Sequence, residues 1–452
     1  MKKRILALVV GLCAALNFIA CGGGARTGPP SGLTNRVLAS QGVTTSITFG
    51  GLFLINGHND TLPRVAPIGA GTSPGLMAIS PSRGLVAALD AATNNVYIAD
   101  TATEKGIGVV RLQGPTSSMV LPTSSPVGYA AVPAATVSGY TFIGAVDVMN
   151  FAAGSILTIA VPSAQTVVSN SYGTQLLVFS SGSDAITALA PSAAAPPVDT
   201  SCVNPAPNNP PNAVCTIVED PRLSRPVYAI ISGSTAYVFN CGQECGGTQQ
   251  ASIAILDMGS LTVTSTIPVN GATYGLLNGS TLYVAGNGTP TGPLCSSLNS
   301  KINPTTAATY CGTLDIVDLT TMTDPYFNSL STEIAIPDGY HDRMDLTTDG
   351  QLFVGSYNCT NIGNVNSPSG EVRGCLAIYN TNTNSLVIPP DNGDVNGFQG
   401  FSTRYIEYVA EGGNLRVYDT TIDALYINSE YLPTGSIDIV GYVGDVKAID
   451  FF

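Results

Sequence analysis

The feature that most constrains this chain is a short apolar strand that recurs along it. The copies are NVYIADT from Asn95, GAVDVMN from Gly144, DAITALA from Asp184, ASIAILD from Ala251, GTLDIVD from Gly312, GCLAIYN from Gly374 and GNLRVYD from Gly413. They recur at intervals of about 40–65 residues, and most follow a second strand such as TAYVFNC or TLYVAGN. One copy alone cannot bury its apolar face, whereas four-stranded sheets packed radially can. The repeat therefore predicts an all-β propeller.

Composition agrees with that class. Only 10% of the residues are charged, and no stretch after the N-terminal segment keeps apolar residues at helical spacing. A helical fold would be expected to contain more Glu, Lys, Gln and Arg.

Two strand pairs carry a more specific likeness. TLYVAGN…GTLDIVDLTTMT and TAYVFNC…ASIAILDMGSLTVTSTIPV resemble the YVTN-type β-propeller repeat, in which a Tyr-Val-(Thr/Ala)-Asn strand precedes a Val-Ser-Val-Ile-Asp strand and a Thr-rich turn. The likeness covers most of residues 34–452 and implies one propeller domain there. It indicates architecture rather than activity.

The number of blades follows from the third strands. The seven copies above, together with GGLFLIN at 50–56, predict eight blades; seven would remain if GGLFLIN pairs differently. GDVKAIDFF from Gly444 is expected to be the inner strand of the first blade, closing the ring against RVLAS near Arg36. Closure would remove the exposed sheet edges that invite aggregation.

The N-terminus predicts export. Residues 1–20 combine three basic residues with an apolar run too short to span a bilayer, which is typical of a signal peptide. The sequence FIAC resembles a bacterial lipobox, which would make Cys21 a lipidated membrane anchor and residues 21–33 a flexible tether. The alternative is an ordinary cleaved signal with an incidental cysteine. Gly22 favours the outer membrane of the cell envelope, without indicating which side.

The net charge of the chain limits the classes of partner that it is expected to bind. The chain has 17 basic and 30 acidic residues, and loss of residues 1–20 would remove three of the basic ones, leaving a net charge of −16. Nucleic acid binding requires the opposite sign and is not expected. No cofactor motif is present, so no cofactor is predicted. The expected ligand is a protein or a small molecule.

Eight cysteines remain after Cys13 and Cys21, and they fall into neighbouring pairs that each bracket one insertion. The pairs are Cys202 and Cys215, Cys241 and Cys245, Cys295 and Cys311, and Cys359 and Cys375. Outside the cytoplasm such pairs predict disulfides, although eight cysteines allow 105 connectivities. Three pairs would share one face of the propeller, and Cys202 with Cys215 the other. For Cys241 and Cys245, a metal site and a redox site remain open alternatives.

The segment PDGYHDRMD, residues 337–345, links one blade to the next near the predicted channel mouth. Its polar residues, with two arginines from an equivalent link, are the candidate ligand-binding set: Tyr340, His341, Asp342, Arg343, Arg222 and Arg225. Titratable groups gathered in a protein with little charge are typical of functional sites. The alternative is a hydrogen-bonded junction with Asp342 and Arg343 paired between blades. Asp391, Asp394 and Asn396 form a weaker calcium candidate, with a simple turn as the alternative.

These observations favour a non-enzymatic, lipid-anchored binding or scaffolding module, with no catalytic residues assigned. The alternative is a propeller enzyme, a lactonase-like hydrolase or a quinone-dependent dehydrogenase, with its site at the channel mouth. Such enzymes need convergent carboxylates, histidines or a metal, and the chain has two histidines. Carbohydrate binding is a third class, but without Trp it would depend on Tyr and Phe for stacking.

Overall fold

The computed structural model describes residues 29–43, 50–190, 215–290, 310–325, 327, 334–359, 374–389, 393–401 and 403–450. Within them, eight antiparallel sheets follow one another along the chain. The innermost strand of each sheet contacts the innermost strands of both neighbouring sheets, so the sheets form a closed ring. The protein is an eight-bladed β-propeller, as the repeat predicts.

Blade 1 joins the two ends of the described chain. Its strands, from the central channel outward, are β32 (Tyr442–Ala448), β1 (Arg36–Gly42) and β2 (Gly51–Asn56). An isolated bridge from Leu52 to Ile68 occupies the outer position. The prediction that GDVKAIDFF closes the ring against RVLAS is confirmed, because Val37 pairs with Ala448 in an antiparallel ladder. GGLFLIN is the third strand of this blade, which gives eight blades rather than seven.

The other blades each contain four consecutive strand positions. Blades 2 to 4 contain β3 (Pro74–Ile79), β4 (Leu85–Asp90), β5 (Asn95–Asp100), β6 (Lys105–Arg111); β7 (Ser118–Val120), β8 (Val127–Thr136), β9 (Ile143–Asn150), β10 (Ser155–Ala160); and β11 (Ala164–Ser169), β12 (Leu176–Ser180), β13 (Ala185–Leu189), β14 (Cys215–Glu219). Blades 5 and 6 contain β15 (Pro226–Ser232), β16 (Thr235–Asn240), β17 (Ser252–Asp257), β18 (Thr262–Pro268); and β19 (Tyr274–Asn278), β20 (Thr281–Pro290), β21 (Tyr310–Asp318), β22 (Ile334–Ile336). A short 3-10 turn, Gly242–Cys245, follows β16.

Blades 7 and 8 complete the ring. They contain β23 (Tyr340–Leu346), β24 (Gln351–Tyr357), β25 (Leu376–Asn380), β26 (Ser385–Val387); and β27 (Val395–Phe401), β28 (Ile406–Glu411), β29 (Asn414–Asp419), β30 (Ala424–Leu425), β31 (Ser436–Ile437). The short strands β30 and β31 both pair with β29 and share the outer position.

The hydrophobic core lies between blades rather than within one. Ile98 of blade 2 and Met119 and Met149 of blade 3, for example, belong to one buried cluster. Since both faces of a blade are covered, second strands such as β4 and β12 have no exposed residue. This explains why they appear in the sequence as continuous apolar runs instead of alternating ones.

The Asp or Asn that closes most third strands has a structural role. Its side chain accepts a backbone N–H two or three residues later, as Asp100 does from Thr103 at 2.7 Å and Asp257 from Ser260 at 2.7 Å. The residue four positions after each of these two is left-handed, with φ of 53° at Glu104 and 54° at Leu261. The side chain therefore stabilises the turn into the fourth strand, which is an Asx turn.

Antiparallel pairing places two kinds of loop on one face of the ring. The links between blades and the loops between second and third strands, residues 241–251 among them, lie on this insertion face. The inner strands start there and run toward the other face. Among the described residues, no helix is long and apolar enough to cross a bilayer.

Candidate functional site

The inner strands enclose a cavity of about 770 Å³ along the axis of the propeller. Residues of β3, β7, β11, β15, β19, β23 and β32 line it, so seven of the eight blades contribute. The volume lies within the range of roughly 300–1,000 Å³ that is usual for small-molecule sites.

A β-bulge near the start of most inner strands shapes the wall of this cavity. Six of the eight inner ladders shift register there, in blades 1, 2, 4, 5, 7 and 8. A bulge opposes two residues to one and re-aims a side chain. At four of these bulges, two neighbouring residues both belong to the cavity lining: Leu76 and Met77, Gln165 and Thr166, Val227 and Tyr228, and Asp342 and Arg343.

The bulge in blade 7 divides the candidate residues of the PDGYHDRMD segment. Tyr340, Asp342 and Arg343 line the cavity, but His341 does not. His341 is 1% exposed and packs against blade 6, where the absent side chain of Gly312 leaves room for its imidazole. Burial lowers the pKa of His341 to about 4, against the opposing effect of the Pro337 and Gly286 carbonyls, so the ring is neutral at pH 7.

Arg343 is held in place at the cavity wall by its neighbours. Its Nη1 donates to Asp342 Oδ2 at 3.0 Å, and its Nε donates to the Asn396 carbonyl of blade 8 at 3.0 Å. Its side chain remains 25% exposed. Burial acts to lower the pKa of Arg343, but Asp342 and Asp445 outweigh it and the pKa is raised. The cation is therefore permanent, and it is partly accessible from the channel.

The two arginines of the other link separate. Arg225 lines the cavity, and its Nε lies 3.8 Å from Asp184 Oδ1. Arg222 does not line it. Arg222 pairs with Asp220 at 2.8 Å and donates to the Val263 carbonyl on the outer strand of blade 5. Arg222 thus connects the link before blade 5 to the outer strand of that blade.

Four tyrosines on blades 5 to 7 form one side of the cavity. Tyr228 and Tyr274 stack with ring centroids 4.6 Å apart, and Tyr340 and Tyr357 lie 5.2 Å apart. Burial raises the pKa of all four phenols, so they remain protonated donors at neutral pH. Of the four, only Tyr340 was predicted as a site residue. The others lacked a signal, because a tyrosine in a strand is ordinarily a core residue.

A second charged pair on β32 also escaped the sequence-based prediction. Lys447 Nζ lies 2.8 Å from Asp445 Oδ1, and both residues line the cavity. Asp445 also accepts the Met77 N–H at 2.9 Å and is 1% exposed, whereas the Lys447 side chain is 21% exposed. The available signal was their spacing, since residues two apart in a strand point to the same side.

Disulfides close loops on the insertion face. Cys241 pairs with Cys245 and Cys359 with Cys375, both at nearest-neighbour spacing. Cys215 and Cys311 are also disulfide-bonded, while Cys202 and Cys295 lie outside the described residues. The bond between Cys241 and Cys245 leaves no free thiolate for the metal alternative there and is compatible with the redox one. Disulfides indicate an oxidising compartment outside the cytoplasm.

Glu244, inside the Cys241–Cys245 loop, reaches across to blade 6. Its Oε2 accepts the Asn287 N–H at 3.2 Å, and it lies over Gly271 and Gly286, where any Cβ would collide with Oε1. Burial raises the pKa of Glu244 to about 8, although hydrogen bonds from Asn287 and Ala272 oppose it. The carboxyl is therefore largely protonated at neutral pH.

Two residues of the calcium candidate make hydrogen bonds with different partners. Asp394 accepts the Asn358 N–H at 2.7 Å, and the Asn396 side chain donates to the Tyr442 hydroxyl at 3.1 Å. Asp391 lies outside the described residues. In the part of the chain that the structure describes, no three His, Cys, Asp or Glu residues are arranged to hold a metal ion.

Comparisons with known proteins identify the fold and no family. No family model and no curated protein matches the chain. The dihydro-heme d1 dehydrogenase NirN in complex with DHE has a TM-score of 0.60 at 12% identity, over 94% of this chain and 76% of that one. The Dos1 propeller has a TM-score of 0.54 at 9% identity, over 82% and 86%. A looser likeness, with a TM-score of 0.44 at 14% identity over 92% and 98%, is to the periplasmic gluconolactonase PpgL of Pseudomonas aeruginosa. At these identities, the first two show that the chain shares the propeller fold.

Proposed function

We propose that this protein is a lipid-anchored binding module of the cell envelope that holds a small ligand in its central channel. The observation that carries the proposal is the cavity of about 770 Å³, lined by bulge-directed side chains and by a wall of tyrosines. A central channel is common to propellers, and the support for a ligand here is that Arg343, Lys447 and four tyrosines line it together.

The charged groups of the cavity favour binding over catalysis. Its two carboxylates, Asp342 and Asp445, are each paired with a cation of their own blade. A general base or nucleophile requires a group free to exchange a proton with substrate. The enzyme alternative, lactonase-like or dehydrogenase, is therefore the second choice, and turnover of a bound ligand is the outcome that would favour it.

The membrane part of the proposal rests on the sequence. A lipid on Cys21, followed by the tether of residues 21–33, would hold the propeller at a membrane surface, and the disulfides fit an exported protein. The acidic surface fits no nucleic-acid partner. Gly22 favours the outer membrane.

Native mass spectrometry of the protein purified from its own envelope in mild detergent tests the proposal. We expect a mass increase from acylation at Cys21 and a second, non-covalent small molecule. Val227→Trp, which fills the cavity at the bulge of blade 5, should abolish the second species. Val109→Trp is the matched control, because Val109 is 44% exposed on an outer strand. A ligand retained by Val227→Trp, or absent from wild type, would refute the channel site.

A further inference from the structure

The charge of the cavity differs in sign from that of the whole molecule. Its lining includes three cations, Arg225, Arg343 and Lys447, and two carboxylates, Asp342 and Asp445. Among the described residues, the lining thus has one excess positive charge, within a chain of formal charge −13. Arg225 supplies the excess, since Asp184, the acidic residue that contacts it in the described part of the chain, is 59% exposed and does not line the cavity.

The accessible charges are even more one-sided than the total. Asp445 is 1% exposed and already accepts hydrogen bonds from the Met77 and Val446 backbones as well as from Lys447. The side chains of Lys447, Arg343 and Asp342 are 21%, 25% and 27% exposed, so Asp342 is the accessible carboxylate among the described residues of the lining. A cation partly removed from water attracts an opposite charge more strongly than a fully solvated one.

The rest of the wall is suited to an apolar body. On blades 2 and 3 it includes Leu76, Ile79 and Val120, which are partly exposed, and on blades 5 and 6 the stacked rings of Tyr228 and Tyr274 face the same space. The protonated phenols can donate hydrogen bonds but cannot repel an anion by charge. Apolar side chains of blades 2 and 3 and the tyrosines of blades 5 to 7 thus share the cavity with Arg343 of blade 7 and Lys447 of blade 1.

From this arrangement we infer that the channel ligand is an organic anion with an apolar body, such as an aromatic or branched carboxylate. The inference rests on the proposed function and specifies its ligand class. Arg343 and Lys447 would face the anionic group, and Val120 of blade 3 with Tyr228 of blade 5, across the channel, would cover the apolar part. Arg225, near the insertion face, would attract the ligand toward the cavity.

Isothermal titration calorimetry tests the ligand class with three probes that share a naphthalene ring. These are 2-naphthoate, 2-naphthylmethanol and (2-naphthylmethyl)trimethylammonium. The full chain is first solubilised and dialysed free of small molecules. We expect naphthoate to bind at least about tenfold more tightly than the alcohol, because hydrogen bonds between charged groups are stronger than those of a neutral hydroxyl. Raising the NaCl concentration should weaken the binding of naphthoate alone among the three probes.

Single substitutions test where in the cavity the anionic group of the ligand binds. Arg343→Gln and Lys447→Gln should each weaken naphthoate about tenfold and the alcohol less than about twofold. Arg111→Gln is the control, since Arg111 is exposed at the end of an outer strand. The Lys447 variant serves if loss of Arg343, which leaves Asp342 unpaired, prevents folding. Equal binding of all probes, or preference for the ammonium, would overturn the anion class while leaving the channel a ligand site. Binding of none would overturn it too, and the native mass experiment decides the proposed function separately.

Discussion

Glu244 illustrates how a single side chain couples two blades. It extends from a disulfide-closed loop of blade 5 into a space that Gly271 and Gly286 leave open in blade 6. Its Oε1, the Asn287 Oδ1 and the Thr313 Oγ1 make no hydrogen bond among the described residues. A protonated Oε1 would be a donor where such acceptors are available, so the contact favours the neutral acid.

The raised pKa of Glu244 gives a pH dependence of defined sign. Unfolded, the carboxyl would titrate near 4.5; folded, its pKa is about 8. The folded state binds the extra proton between these values, so stability falls as pH rises from 4.5 to 8. Glu244→Gln should remove this loss and exceed wild type by ~2 kcal/mol above pH 8, a value reduced from the full shift because the side chain is only partly buried.

Urea unfolding of wild type and Glu244→Gln at pH 5, 7 and 9 measures this difference. Glu219→Gln, at an exposed position on β14, is the matched control and should run parallel to wild type. A Glu244 variant with the same pH dependence as wild type would show that the carboxyl is ionised in the fold.

At the residue scale, the sequence predicted part of the cavity wall. Position in a link between blades was enough to single out Arg225, Tyr340, Asp342 and Arg343, all of which line it. The same reasoning chose His341, which faces blade 6 instead, because the bulge brings two neighbours to one side. A bulge has no signature in alternation, so the orientation could not be predicted.

At the scale of elements, the two described disulfides close loops of different length. Cys359 and Cys375 are 16 residues apart, and Cys241 and Cys245 are 4 apart. By the loop-entropy model, the longer loop contributes about 3 kcal/mol and the shorter about 2 kcal/mol. Replacing each pair with alanine should therefore lower the urea midpoint more for Cys359 and Cys375. A larger loss from the shorter loop would mean that docking of Glu244, rather than loop entropy, dominates.

Third strands were the most predictable elements, and inner strands the least. A third strand has an apolar run, a small first residue and, in most copies, a final Asp or Asn that caps the next turn, so each part of its pattern has a cause. Inner strands face the channel on one side and a neighbouring blade on the other. Their sequences, such as YHDRMDL, mix both demands and show no simple period.

At the scale of the whole molecule, β32 closes the ring. It covers the edge of β1, and Val443, Val446 and Ala448 enter a buried cluster with Val37 and Ala39. A stop codon after Gly441 should cost roughly 5 kcal/mol or more, because buried valines contribute about 1.5–3 kcal/mol each and a sheet edge becomes exposed. Size-exclusion chromatography should find oligomers. A chain ending at Asp450 is the control, and a monomeric, equally stable truncation would contradict closure by β32.

The central claim, that the channel holds a ligand, is tested most directly by an experimental structure of protein purified natively from its envelope. We expect density for an organic molecule in the cavity, with its anionic end toward Arg343 and Lys447 and its apolar body toward Val120 and Tyr228. Ordered water alone in the channel, together with a protein partner bound to the outer surface of the blades, would contradict the claim and make the propeller a scaffold.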